Sequence, residues 1–187
     1  LDAVFYPRIN PFIFQQEGWH LELDDPEGEL SYKGVVFNEM KGAYSSPETL
    51  MFKELQESLY PDTTYAFDSG GNPENIPALT YEEFKAFHRL YYSPSNARFF
   101  LYGNIPTAEH LAFLEEMLAG FDRTPVNSEV SSQPRWTAPS RVHQVYPIGR
   151  EEPLAGKTSI NMAWMLTENT DDETAILLEV LSGILIG

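Results

Sequence analysis

The run from Gly34 to Glu48, GVVFNEMKGAYSSPE, constrains the fold most, because it sets one carboxylate, Glu39, inside an apolar helical pattern with no cation beside it. Tyr32, Val35, Val36, Met40 and Tyr44 recur at spacings of three and four, the rhythm of a helix with one buried face. Glu39 follows Val35 by four positions and Val36 by three, so its side chain is expected on that same face. An ionised carboxylate is rarely buried unless a charge or several donors meet it. Lys33 stands at i−6 and Lys41 at i+2, neither of them a position for the usual helical ion pair. A group from elsewhere is therefore expected to meet Glu39: an arginine, a backbone donor or a metal ion.

Composition narrows the partners. Twelve basic against 28 acidic residues give a formal charge of −16, which argues against nucleic acid and against anionic membrane surfaces. With no cysteine, the chain has no disulfide scaffold, no thiol chemistry and no cysteine-ligated metal. No segment has the pattern of a signal peptide. The most apolar stretch, Ala175 to Gly187, carries Glu179 and is shorter than the roughly 20 residues that span a bilayer, so a soluble chain is expected.

Local signals divide the chain into short elements. EGWHLEL (17–23) reads as a short strand followed by the polar loop DDPEGE. Ser46-Pro47 starts a helix carrying Leu50 to Leu59, and Pro61 ends it. Residues 62–79, with Asp68-Ser69-Gly70-Gly71-Asn72-Pro73, read as loop. Thr80 and Glu83 form a capping box for a helix with Tyr81, Phe84, Phe87 and Tyr91 inward. ARFFLYG (97–103) reads as a central strand, and Thr107 caps a helix with Leu111, Leu114 and Leu118 that ends at Gly120. Residues 122–156 are rich in Pro, Ser and Thr, as in a linker. Beyond them Ile160, Met162, Trp164 and Leu166 alternate as in a strand, and Thr170 with Glu173 opens a last helix. Strand then capped helix occurs twice, as a duplicated domain would produce. The opening LDAVFYP and the closing ILLEVLSGILIG read as cut ends, and the apolar closing helix needs partners.

Few residues carry chemistry. The histidines are His20, His88, His110 and His143. Glu109-His110 ends an H-x-x-E-H pattern in form, but Pro106 stands where the first histidine belongs. His20 and Glu22 share a face of the expected strand, where a structural role is the simpler reading. Gly70-Gly71 lacks the lysine of a phosphate loop, and no G-x-S-x-G occurs. Glu39 is left as the sharpest candidate, either as a metal ligand or general base or as a carboxylate satisfied structurally.

Four collinear blocks, FQQEGWHLEL, YKGVVFNEMKGAYSSPE, SGGNPENIPALTYEEFKAFH and YYSPSNARFFLYGNI, resemble the presequence protease and falcilysin branch of the pitrilysin (insulysin) zinc metallopeptidases. The similarity runs from Leu1 to about Phe121 and more loosely to the end. It implies an α+β fold: the later part of a zinc-site domain over 1–122, with helices on an antiparallel-rich sheet. A connection over 123–156 and the opening strand and helix of a second, similar domain over 157–187 would follow. Such enzymes cut unstructured peptides with a zinc ion held by two histidines of an inverted H-x-x-E-H motif and by a glutamate on a later helix. That glutamate falls in an N-E-M-K-G segment, here Asn38-Glu39-Met40-Lys41-Gly42. The resemblance thus makes Glu39 the third zinc ligand, supported by Asn38, Lys41 and Gly42.

No H-x-x-E-H occurs here, so the other ligands and the base are expected upstream of Leu1. This piece is expected to be inactive alone, with no catalytic residue of its own. The implied partners are peptide substrates, basic targeting peptides among them, and the remaining domains of the same polypeptide. The implied compartment is the cytoplasm of a bacterium or an organelle matrix of a eukaryote. Two rival readings are a non-catalytic, chamber-forming relative of the same fold and a stand-alone peptide-binding module.

Overall fold

A computed structural model describes residues 1–168 and 170–186; Gly187, the last residue of the apolar closing run, lies outside the described residues. The chain opens with two short helices, α1 (Asp2–Phe5) and α2 (Pro11–Ile13), and α2 runs into one wide turn at Phe14–Gly18. Two strands follow, β1 (His20–Glu22) and β2 (Ser31–Lys33). They pair antiparallel with His20 opposite Lys33 and Leu21 opposite Tyr32, which leaves the acidic DDPEGE run at the hairpin tip. Tyr32, expected on the Glu39 helix, belongs to this hairpin instead.

Gly34 separates the strand from the helix. It adopts φ 146° and ψ 152°, a region essentially reserved for glycine, and a Cβ there would collide with the Gly18 carbonyl. Helix α3 (Val35–Ala43) starts directly after it, and α4 (Pro47–Leu59) follows. The Ser46 hydroxyl caps α4 by accepting from the Thr49 amide at 3.3 Å. Residues 62–79 are loop, interrupted by single tight turns at Thr64–Ala66 and Ile76–Ala78.

Helix α5 (Tyr81–Tyr91) begins with the expected capping box. Thr80 Oγ1 accepts from the Glu83 amide at 3.2 Å, and Glu83 Oε2 accepts from the Thr80 amide at 2.9 Å. Of its four inward candidates, Tyr81 and Tyr91 are half-buried while Phe84 and Phe87 remain exposed. Helix α6 (Thr107–Leu118) starts one residue earlier than expected: Thr107 is already helical, and Pro106 at the cap offers no side-chain acceptor. Leu114 and Leu118 are half-buried on it, and Leu111 is exposed. The last helix, α7 (Asp172–Ile186), is capped by Asp171 rather than Thr170. Asp171 Oδ1 accepts from the Glu173 and Thr174 amides at 3.2 and 3.3 Å, since an ionised carboxylate outcompetes a hydroxyl for helix-end donors.

Neither 97–103 nor 158–166 forms a strand. Both are irregular, with Tyr102 94% and Ile160 87% exposed. A strand needs a neighbouring ladder for its backbone groups, and β1 with β2 makes the only ladder among the described residues. The antiparallel-rich sheet expected under the helices is thus reduced here to a two-stranded hairpin within a mixed, mainly helical fold.

The chain divides into two units. The first comprises Leu1–Gln133 with Gln144–Tyr146, and its core is Phe37, Met40 and Ile76, packed by Trp19, Ala43 and Tyr44. Trp19 also donates its indole N–H to the Leu79 carbonyl at 2.9 Å, tying the wide turn to the loop before α5. The second comprises Pro134–His143 with Pro147–Gly187 and holds α7, on which Ile176, Leu177, Ile184 and Leu185 are all exposed. No helix of the described residues is long and apolar enough to cross a membrane.

Candidate functional site

Helix α3 has one anchored face and one open face. Phe37, Met40 and Tyr44 lie on the anchored side, where the Phe37 ring packs 5.8 Å from Tyr32, itself 5.8 Å from Trp19. Val35, Asn38, Glu39 and Gly42, at i, i+3, i+4 and i+7, form the other stripe, and all four are exposed. The expectation of a buried Glu39 face is corrected here. Glu39 does share a side with Val35 and Val36, but that side is open, with Val35 53% exposed. The larger apolar surfaces of Phe37 and Met40 take the core side, which turns the two valines outward.

The Glu39 side chain makes no hydrogen bond or ion pair among the described residues, and Lys41 is exposed beside it. A methyl group on Gly42 would meet nothing within 4 Å, so this chain's own packing does not require glycine there. Among the described residues, no group of three or more His, Asp and Glu side chains stands close enough to hold a metal ion. A free carboxylate fits a divalent cation as one ligand of a set; hydrolytic zinc takes three protein ligands.

The histidines serve elsewhere. His20 donates its Nδ1 proton to the Gln15 carbonyl at 2.8 Å, and its Nε2 stands 3.5 Å from Glu22. His88 Nε2 donates to the Val4 carbonyl at 2.9 Å, and its ring stacks on Tyr92 at 4.7 Å. His110 is half-buried on α6, and His143 is exposed in the irregular stretch.

Behind α3 lies a cluster that the sequence did not announce. The Asp68 side chain is only 7% exposed, and the Lys53 ammonium of α4 stands 2.7 Å from its Oδ2. Lys53 is the cation that meets that oxygen among the described residues. Asp68 Oδ1 accepts from the Gly70 amide at 3.1 Å. Burial works to raise the Asp68 pKa, but the Lys53 contact, the Gly70 amide, the Lys53 charge and the Tyr44 hydroxyl outweigh it and hold the carboxyl below its usual range. The Tyr44 phenol is pushed up to about 12 by burial, then by the Asp68 charge and their hydrogen bond, and by the Glu57 charge. The signal that was missed is an Asp two residues before Gly70 whose side chain folds onto its own loop; its partners Tyr44 and Lys53 lie too far away in sequence to be inferred.

Known proteins supply the remaining comparison. The family model described as "Peptidase M16 inactive domain" matches residues 78–187, a span that begins after α3. The sequence is 45% identical over 192 residues to presequence protease 1, chloroplastic/mitochondrial, of Arabidopsis thaliana, covering 100% of this chain and 18% of that protein. It is 44% identical over 188 residues to protein HypA of Clostridium perfringens, covering 99% and 19%. It is 43% identical over 191 residues to presequence protease, mitochondrial, of Mus musculus, covering 100% and 18%. The chain spans less than a fifth of the length of the curated relatives it matches.

Proposed function

Because the chain belongs to the M16 peptidase family, in its presequence protease branch, we propose that it is one section of a zinc-dependent endopeptidase that degrades unstructured peptides. The observation that carries the reading is the open stripe of α3. A carboxylate without a partner, flanked by exposed valines and by a glycine that leaves room, is held on a helix whose opposite face is anchored in the core. In this reading Glu39 is a zinc ligand, Gly42 keeps space on the metal side, and Asn38 and Lys41 complete the polar surround. The bound zinc would polarise a peptide carbonyl and lower the pKa of a water molecule.

Glu39 supplies one ligand only, so the 187 residues by themselves are inferred to be inactive. Their partners are then peptide substrates and further domains of the same polypeptide. We assign 1–122 to the zinc-site domain, 123–156 to a connection and 157–187 to the opening of a second, similar domain. The irregular backbone without helix or strand across 121–156 supports the middle assignment. The names of the plant and mouse relatives place those proteins in the chloroplast or mitochondrion; an organelle matrix is inferred here for a eukaryotic source, and the cytoplasm for a bacterial one.

One observation favours a second reading, a non-catalytic relative of the same fold. The matched family description names an inactive domain. Cleavage of an unstructured basic peptide by the native polypeptide that carries this chain separates the two readings. Activity that a chelator abolishes and zinc restores supports the peptidase; no cleavage of any unstructured peptide supports the non-catalytic relative.

A further inference from the structure

We propose that Asp68, acting through the Gly70 loop on Met40 and balanced by the Lys53 charge, is a positioning residue that fixes the rotation of α3 about its own axis. The word "positioning" rests on the reading of Glu39 as a metal ligand; the fixed rotation does not. A helix can turn about its axis unless at least two side chains on one face are held at different heights. Met40 and Tyr44, one turn apart at i and i+4, provide those two points.

Met40 follows Glu39 directly and is packed so tightly on Gly70 that a Cβ at Gly70 would collide with the Met40 sulfur. Tyr44 closes the C-terminal end of α3, its amide donating back to the Met40 carbonyl at 2.9 Å, and its side chain packs against the core of Phe37, Met40 and Ile76. The Asp68 carboxylate takes the Gly70 amide at 3.1 Å, so this acid shapes the loop that holds Met40. Lys53 supplies the charge that makes a carboxylate tolerable at that depth. Both anchor points lie opposite the open stripe of Val35, Asn38, Glu39 and Gly42, so any slip of the anchored face swings Glu39 by the same angle.

The experiment compares Asp68→Asn, which keeps the shape and removes the charge, with Lys53→Arg as the charge-conserving rescue and Thr80→Ala as a control. Thr80→Ala removes the capping box of α5 and leaves the α3 anchors intact. All are made in the native polypeptide that carries this chain. Three quantities are read: hydrogen exchange of the amides from Asn38 to Tyr44, zinc affinity by chelator competition, and kcat against KM on an unstructured peptide. Asp68→Asn is expected to speed exchange across α3 and to weaken zinc about tenfold, the scale seen when a ligand's supporting partner is lost. It should lower kcat with KM nearly unchanged, with Lys53→Arg near wild type. Thr80→Ala should lower the melting temperature with none of these changes.

Unchanged α3 exchange in Asp68→Asn overturns the proposal. So does an equal loss of exchange protection and zinc affinity in Thr80→Ala, which would mean general destabilisation. If Glu39→Gln holds zinc as tightly as wild type, the metal reading fails by itself, and the exchange data still decide whether Asp68 fixes the helix.

Discussion

Helices α3 and α7 are both rich in apolar residues, α7 the more so, yet only α3 has a covered face. Around α3, a strained glycine, a hairpin and a charged loop converge on one helix face, and Phe37, Met40 and Ile76 are buried there. On α7, Ile184, Leu185 and Ile186 stand in the open, and the alternating residues before it find no strand to pair with. The difference lies in the partners supplied within these 187 residues rather than in hydrophobicity. An apolar pattern becomes a packed face only where a second surface arrives to cover it.

Substitutions should therefore separate the two regions. The largest effect is expected at Gly34→Ala, where a positive φ and a backbone collision with Gly18 coincide. A loss of about 3 kcal/mol or more of local stability follows from these terms together. Amide exchange across α3 measures it, and unchanged protection there would show that the strand-to-helix junction tolerates a side chain.

Asp68→Ala comes next. It strips a partly buried lysine of its partner, and because Lys53 keeps 28% of its side chain in solvent the expected loss is about 2 kcal/mol, below the usual cost of breaking a fully buried pair. The pH dependence has a definite sign. With its folded pKa depressed, Asp68 contributes stability that is fully present above its unfolded pKa, near 3.9, and is lost as pH falls through the folded value. Tyr44 acts at the other extreme: its raised pKa means stability held below pH 10 and lost as pH climbs toward about 12. Acid and alkaline unfolding of wild type against Asp68→Ala and Tyr44→Phe check both ends; superimposable curves would remove the cluster from the stability of this region.

The smallest effect is expected on α7. Leu185 is 75% exposed, so Leu185→Ser in this chain should shift thermal stability by no more than about 0.5 kcal/mol. A much larger loss would mean that α7 is covered after all, and the contrast between the two regions would disappear.

What the sequence made legible follows the same line. Ser46 before Pro47 and the Thr80–Glu83 box were readable because a cap is built from residues within one turn of each other. The cap of α7 went to Asp171 and not to its neighbour Thr170 through a difference in acceptor strength that spacing alone does not encode. The buried side of α3 differs from the expected one, since Val35, Val36, Phe37 and Met40 are all apolar and the choice among them is made by Trp19, Tyr32 and Ile76 from other parts of the chain. The segments 97–103 and 158–166 have strand-like composition, but a ladder is a property of two segments. The site divides in the same way. Glu39, Asn38, Lys41 and Gly42 form a continuous motif and were singled out, whereas Tyr44, Lys53 and Asp68 meet only through the fold.

Zinc binding by the native polypeptide carrying Glu39→Gln bears most directly on the role given to this helix. The substitution removes a charge from an exposed position with no partner among the described residues, so the fold should be undisturbed. As a metal ligand, Glu39 requires that the variant lose zinc affinity by at least about tenfold in chelator competition while keeping the wild-type melting temperature of the metal-free protein. Wild-type zinc affinity in Glu39→Gln would contradict it.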